Sequence, residues 1–250
     1  MSFRLGSDPT EALRKVEKVL LMLRFVWRFP RVRGAWPKYE FLKPWIVDLA
    51  PATVVDVGVN HGQFLHLATR LWPKARFLGI EPNAALAAKM SKLYEGDARV
   101  RIEACAVSDR EGTAELFLAR DDQSSSILAP AEHYYDDREG DAIVGSETVA
   151  LKRMDALLAG YDAPMFLKID VQGAELEVLR GFGDRLGDAA AIVIEAPFEE
   201  AYVGAAGFDE IHAYLSAHGF AYEGSLGQLN SRRTGRVRQQ DAVYVRRAAP

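Results

Sequence analysis

Four acidic residues stand at the ends of short apolar runs: Asp56 in Thr53–Val57, Glu81 after Arg76–Ile80, Asp170 after residues 166–169, and Glu195 after residues 190–194. Runs this short, rich in β-branched residues, suit strands buried on both faces of a parallel sheet. If the strands run parallel, the four carboxylates line one rim, at the strand ends where open α/β sheets bind their ligands. Such a rim can hold a cation, accept hydrogen bonds from hydroxyls, or remove a proton. A solvated turn accounts for one acid in this position, but recurrence at four strand ends points to a site.

The first two runs enclose a turn and a helix. Gly58, Asn60 and Gly62 crowd the turn, where glycine lets the backbone bend tightly and approach a ligand. Gln63–Leu71 follows with Phe64, Leu67, Ala68 and Leu71 spaced along one helical face, and Pro73 marks its end. Strand, glycine turn, helix, strand and closing acid form a nucleotide-binding half-unit. A dinucleotide site would carry G-x-G-x-x-G with its pyrophosphate on the helix N-terminus. The spacing here is Asp56-x-Gly58-x-Asn60-x-Gly62. A carboxylate at the head of the turn repels pyrophosphate but attracts the ammonium of S-adenosylmethionine, and Glu81 can accept from two ribose hydroxyls. The stretch therefore reads as an S-adenosylmethionine site, with Gln63 and Asn83 at the margins of its two turns.

The rest of the chain must position this rim. A helix is expected over 84–94 and a third strand over 99–105. The small residues of 104–109, including Ala106, Ser108 and Asp109, leave room for a flat adenine ring. Strands are expected over Gly112–Ala119 and 147–151. The long polar segment between them reads as a substrate lid, with Ser125, Ser126, His133 and Tyr134 as acceptor contacts. Gly173 opens a helix whose buried stripe is Leu176, Val178 and Leu179. A last helix over 207–218 precedes closing strands at 220–223 and 242–245, an antiparallel hairpin. Arg232, Arg233, Arg236 and Arg238 fall in the linker between them, either as a solvated basic loop or as a grip on an anionic substrate group.

The 250 residues suffice for one large α/β domain, expected over 51–250, and an N-terminal helical extension over 1–50. Asp8, Pro9 and Glu11 start a helix there, and Phe41, Leu42, Trp45, Ile46 and Leu49 are spaced for a second. The first helix is too short and too charged to span a bilayer. It packs on the domain or a second copy, or it lies on anionic lipid as a peripheral contact at the inner membrane face. A hydrophobic content of 49% supports a sizeable core, and a net charge of -4 argues against nucleic acid as a partner. One cysteine rules out an intrachain disulfide and any multi-cysteine metal site, and fits a cytoplasmic setting.

These blocks resemble the FkbM-type methyltransferases. The resemblance rests on VVDVGVNHGQF (54–64), GIEPN (79–83), ACAVSDREGTAELF (104–117), the SSSIL segment from Ser124, LKIDVQGAELEVLRG (167–181) and the later IVIEAP. It covers about residues 40–246. It implies a class I methyltransferase fold: a Rossmann-like three-layer α/β sandwich with a mostly parallel sheet and a C-terminal antiparallel hairpin. It also implies S-adenosylmethionine as donor and O-methylation of a hydroxyl on a small-molecule or glycan acceptor such as a sugar, glycolipid or natural product. By that resemblance Asp56, Gly58, Asn60 and Gly62 form the cofactor loop, Glu81 binds ribose, Ser108 and Asp109 lie near adenine, and Asp170 faces the methyl group. The chain departs from the pattern at Val59, where Ala is common, and at Gln172, where many members carry Glu.

For chemistry, Asp170 is the first candidate for general base and His61 the second. Glu175 and Glu195 would orient the acceptor, or join Asp170 in holding a Mg²⁺ that acidifies a hydroxyl. Alternatives are an NAD-dependent oxidoreductase, which lacks the pyrophosphate fingerprint, and a non-catalytic cofactor-binding partner protein.

Overall fold

A computed structural model of the chain describes residues 41, 43–132, 142–231 and 233–247. The expected N-terminal helix, with its dimer and membrane readings, lies outside the described residues. The second helix is only one turn, α1 (Pro44–Val47), because Pro44 can open a helix but the polar Asp48 and the turn to Pro51 end it at once. Among the described residues no helix is long and apolar enough to cross a membrane.

The next elements are β1 (Thr53–Val57), α2 (Gln63–Leu71), β2 (Arg76–Ile80), α3 (Ala84–Leu93), β3 (Val100–Glu103) and β4 (Ala106–Val107). They are followed by β5 (Gly112–Ala119), β6 (Ile143–Lys152), α4 (Met154–Leu157), β7 (Met165–Ile169) and α5 (Glu175–Gly181). The chain closes with β8 (Ala189–Pro197), α6 (Phe208–Ala217), β9 (Phe220–Asn230) and β10 (Val237–Arg246). The main sheet has seven strands in the order β3-β2-β1-β7-β8-β10-β9. The first five are mutually parallel, and β10 and β9 form the antiparallel end. Strand order reverses between β1 and β7, the switch point at which ligands bind in doubly wound sheets.

Side chains alternate between two cores, as strand period dictates. Val54, Phe77, Phe166, Val193 and Val243 face α2, α3 and Phe41, while Val55, Leu78, Leu167, Ile192 and Tyr244 face α4, α5 and α6. The result is the expected three-layer α/β sandwich.

Two features depart from the expected layout. The third strand stops at Glu103, and β4 leaves the main sheet to join β6 and β5 in a second, three-stranded sheet. The C-terminal strands are also far longer than 220–223 and 242–245. Gly224, Gly227 and the polar residues around them look like loop, but bulges in the β9–β10 ladder absorb them and pairing continues to Asn230.

The tightest packing on the α2 side is aromatic: Phe166 has ring centroids 5.9 Å from Phe64, 5.0 Å from Trp72 and 6.4 Å from Phe41. Phe166→Ala is expected to cost about 3–5 kcal/mol, because a cavity here is walled by rings that cannot collapse into it. Urea unfolding of the variant against the parent measures this.

Candidate active site

The C-terminal ends of the parallel strands open into a cavity of about 530 Å³, a size typical of small-molecule sites. Asp56, Glu81, Asp170 and Glu195 all line it. The sheet register brings them together. Val57 is level with Ile80 and Ile169, and Ile169 with Ile194, so Glu81, Gly58, Asp170 and Glu195 follow in one row. The row continues to Asp241, which pairs with Glu195 across β8 and β10 and also lines the cavity.

Lys168 lies in the middle of these acids. It is level with Asp56 on β1, and it precedes Asp170 by two residues, so it faces the same side. Its ammonium lies 3.1 Å from Asp170 Oδ2 and 3.7 Å from Asp56 Oδ1, and it donates to the Gly58 carbonyl at 3.4 Å. Burial alone would lower its pKa, but the Asp170 and Asp56 carboxylates hold it above the ordinary lysine value, so it stays charged. Sequence reasoning passed over Lys168, although a lone charge inside the apolar run Met165–Ile169 was the signal.

The turn after β1 is shaped for close approach. Gly58 has φ +85°, and a Cβ on it would lie 1.9 Å from the Asp170 carbonyl oxygen. Asn60 has φ +50°, and Gly62, at φ +76°, caps α2. Glu81 is clamped by this turn and its own: Asn60 N–H donates to Oε2 at 2.7 Å and Asn83 N–H to Oε1 at 2.9 Å. Burial pushes the Glu81 carboxyl upward against those bonds. Gln63 and Ala106 line the cavity, and Cys105, Val107, Leu116 and Ile127 make its apolar wall.

Several expected residues fall elsewhere. The Asn83 side chain caps α3 by accepting from Ala85 and Leu86 N–H, so it is not turned to the cavity. Ser108 and Asp109 lie off the cavity, because the chain has turned to run under α5: a Cβ on Gly181 would come within 2.4 Å of the Ser108 carbonyl. His61 does not line the cavity; its Nε2 lies 2.9 Å from Asp122 Oδ2, which does, apart from the acid row. Glu175 is buried beneath the site. Its carboxylate accepts from Val171 N–H at 3.0 Å and Gly173 N–H at 3.0 and 3.2 Å, closing the turn before α5. It therefore neither orients an acceptor nor completes the Mg²⁺ trio with Asp170 and Glu195. Among the described residues no group of three or more His, Cys, Asp or Glu side chains is arranged for a metal.

The segment after β5 crosses the cavity mouth, and Ser125 and Ser126 line it. Both hydroxyls are engaged: Ser125 Oγ accepts from Ala119 N–H at 3.2 Å, and Ser126 Oγ donates to the Gln172 carbonyl at 2.6 Å. His133 and Tyr134 lie outside the described residues. The far wall comes from the hairpin, through Gln228, Leu229, Gln239, Gln240 and Asp241, none of which the sequence singled out. Gln239 donates to Glu195 Oε1. Arg238, expected in a linker, is buried in β10 and donates to Glu199 Oε2 at 3.1 Å. It does not line the cavity, and Arg232 lies outside the described residues.

The Methyltransferase FkbM domain pattern matches residues 56–222, from Asp56 across the whole acid row except its β10 member. The chain belongs to the FkbM methyltransferase family. It is an S-adenosylmethionine-dependent methyltransferase. Among curated relatives, the 2-O-methyltransferase NoeI of Sinorhizobium fredii is 28% identical over 168 residues, covering 64% of this chain and 69% of that one. The methyltransferase sdnD of Sordaria araneosa is 28% identical over 194 residues, covering 67% and 73%. A solved FkbM methyltransferase from Methylobacillus flagellatus KT superposes with a TM-score of 0.50 at 15% identity, over 83% of this chain. This FkbM chain spans 47% of that protein, and the likeness is one of fold.

Lys168→Met should destabilise the FkbM domain by about 3–5 kcal/mol, since it leaves the buried Asp56 carboxylate and its neighbour Asp170 without their cation. Denaturant titration at neutral pH reads this. Glu175 gives a second expectation. Burial pushes its carboxyl from 4.5 to about 7, so folding favours the protonated form. The stability this confers is full below pH 4.5 and is lost as pH rises through about 7. In Glu175→Gln that slope should flatten in denaturation midpoints taken across this range.

Proposed function

We propose that this chain transfers the methyl group of S-adenosylmethionine to a hydroxyl oxygen of a sugar, glycolipid or natural product, with Asp170 as general base. The observation that carries the reading is the position of Asp170. It stands at the switch point, its backbone packed against the cofactor turn at Gly58 and its carboxylate turned to the wall that holds Gln172 and Glu195. The name of NoeI, a 2-O-methyltransferase, supports oxygen as the acceptor atom.

The residues present suit the donor. The Gly58 turn lines the cavity without a side chain, so a ligand can approach its backbone. Glu81 is fixed by two backbone amides with lone pairs left for ribose hydroxyls. The apolar wall from Cys105 to Ile127 can take a flat base. The same carboxylates disfavour a dinucleotide, since Glu81 and Asp122 flank the turn where a pyrophosphate would need positive charge.

When bound, the donor supplies an electrophilic methyl group on a positively charged sulfur. The protein's part is to position and deprotonate the acceptor. Gln63, Asp56 and Glu81 form the donor half of the cavity; Glu195, Gln239 and Asp241 form the acceptor half. Asp170 lies between them, with Lys168 holding Oδ2 and Gln172 holding Oδ1. A remaining lone pair on either oxygen can take the hydroxyl proton as the new bond forms. Proton removal of this kind contributes roughly 10²–10⁴-fold.

Asp170→Ala should therefore reduce transfer of labelled methyl to a glycan or lipid-glycan acceptor by about that factor, while calorimetry still shows S-adenosylhomocysteine binding. The fold should survive the change, because Lys168 keeps Asp56 as its partner. Full turnover in the variant removes Asp170 from the chemistry.

A further inference from the structure

We infer that Gln172 is the positioning residue of this active site: its carboxamide locks Asp170 and Glu195 into one arrangement and ties that arrangement to the segment covering the cavity. The inference rests on the reading of Asp170 as base, and it assigns a role to a side chain that would not itself touch the reacting atoms.

The geometry is complete at every polar atom of the side chain. Gln172 Nε2 donates one hydrogen to Asp170 Oδ1 and the other to Glu195 Oε2, each at 2.8 Å. Oε1 accepts from the Tyr202 hydroxyl at 2.9 Å. This assigns the amide orientation, since the reverse would aim an oxygen at two carboxylates and an NH₂ at a hydroxyl already turned toward it. Both hydrogens of one neutral nitrogen thus join two anions that would otherwise repel. No other uncharged side chain of this length both donates twice and accepts at the far end.

The backbone of Gln172 is held just as firmly. Its φ is +58°, a left-handed conformation that non-glycine residues adopt only when their surroundings enforce it. Its carbonyl accepts from Ser126 Oγ at 2.6 Å. The single Tyr202 hydroxyl proton is shared with the Ser124 carbonyl at 3.1 Å, and the loop that carries Tyr202 pairs with the covering segment at Pro130. Displacing residues 124–130 would therefore pull on Gln172 from two sides, and through it on the base. The covering segment and the acid pair move as one unit.

An isosteric exchange separates this role from packing. In Gln172→Glu the shape is kept, but a third carboxylate stands within hydrogen-bond reach of the other two, so the cluster must take up a proton. The charged groups facing Asp170 among the described residues are Lys168 on β7, Asp56 on β1, Glu195 on β8, Asp241 on β10 and Glu175 at the start of α5. None of them changes in the variant, so any shift belongs to position 172.

The test is carbon-13 carboxyl NMR on the full chain bound to S-adenosylhomocysteine, with the Asp170 signal assigned by its loss in Asp170→Asn. In Gln172→Glu its titration midpoint should move up by about one pH unit or more relative to the parent. In Tyr202→Phe, which frees the amide without adding charge, the Asp170 and Gln172 signals should broaden or double while cofactor affinity stays at the parental value. With an accepted substrate, the acid limb of kcat/KM should follow the same shift, so that the loss in Gln172→Glu is recovered at high pH; a packing defect would lower the rate equally at every pH. An unshifted Asp170 midpoint in Gln172→Glu overturns the inference. If that variant does not fold, Tyr202→Phe decides, and unperturbed Asp170 and Gln172 signals there overturn it. The carboxyl titration needs no acceptor, so an active Asp170→Ala would sink the base assignment without touching this result.

Discussion

A buried ammonium between two strand-borne carboxylates is the interaction on which the site depends. Asp56 and Asp170 sit on neighbouring strands two residues out of level, a diagonal of about 7–8 Å. Two like charges at that distance repel by about 2 kcal/mol even at an effective dielectric of 20. Lys168 reverses the sign of that contact, and it does so from the sheet itself: the Asp56–Lys168 register is part of the same ladder that pairs Val54 with Phe166. Because the cation comes from a strand, its position is as fixed as the backbone. The residues of this face alternate with those of the opposite core, so the aromatic layer of Phe166, Phe64 and Trp72 runs directly into Lys168, Asp56 and Asp170. The active site is the polar end of one hydrophobic core, where the strands run out and the helices no longer cover them.

That position imposes a backbone requirement at each strand end. Beyond β1 the chain must turn away without meeting the chain beyond β7, and Gly58 meets it so closely that no side chain fits. Beyond β7 the opposite solution is used. Gln172 keeps a full side chain in a left-handed conformation, which costs of order 1–3 kcal/mol, and four hydrogen bonds to Asp170, Glu195, Tyr202 and Ser126 hold it there. One turn is bare because the neighbouring chain leaves no room for a side chain; the other is filled by a side chain that joins two acids.

Much of this was legible in the residue order. Thr53–Val57, Gln63–Leu71 and Arg76–Ile80 form the elements their periodicity demands, and the four strand-end acids converge because parallel register follows once the strands are identified. What escaped was whatever depends on contacts far apart in sequence. Glu175 carries the same functional group as Asp170 five residues earlier, and only the fold shows that backbone amides absorb it. Asn83 and Ser108 looked like ligands because they adjoin the right strands, yet one serves a helix cap and the other lies where β4 leaves the main sheet. The hairpin wall was hidden because β9 and β10 are irregular: glycines and polar residues that read as loop are carried through bulges into the ladder, and Asp241 joins the acid row from that side.

What distinguishes the acids from one another is less their burial than the donors that hold them. Both Glu81 oxygens are fixed by main-chain N–H groups of adjoining turns, a rigid clamp suited to binding hydroxyls in one orientation. Glu175 is held the same way but faces no cavity, so its carboxyl group serves the turn alone. Asp170 takes side-chain donors, an ammonium on one oxygen and an amide on the other, and these orient it while it lies open to the cavity. Glu195 shares that amide and takes a second from Gln239. Backbone donors make a carboxylate part of the scaffold. Side-chain donors leave it facing the cavity, and that difference suits Glu81 to the proposed hydroxyl contacts and Asp170 to the proposed proton transfer.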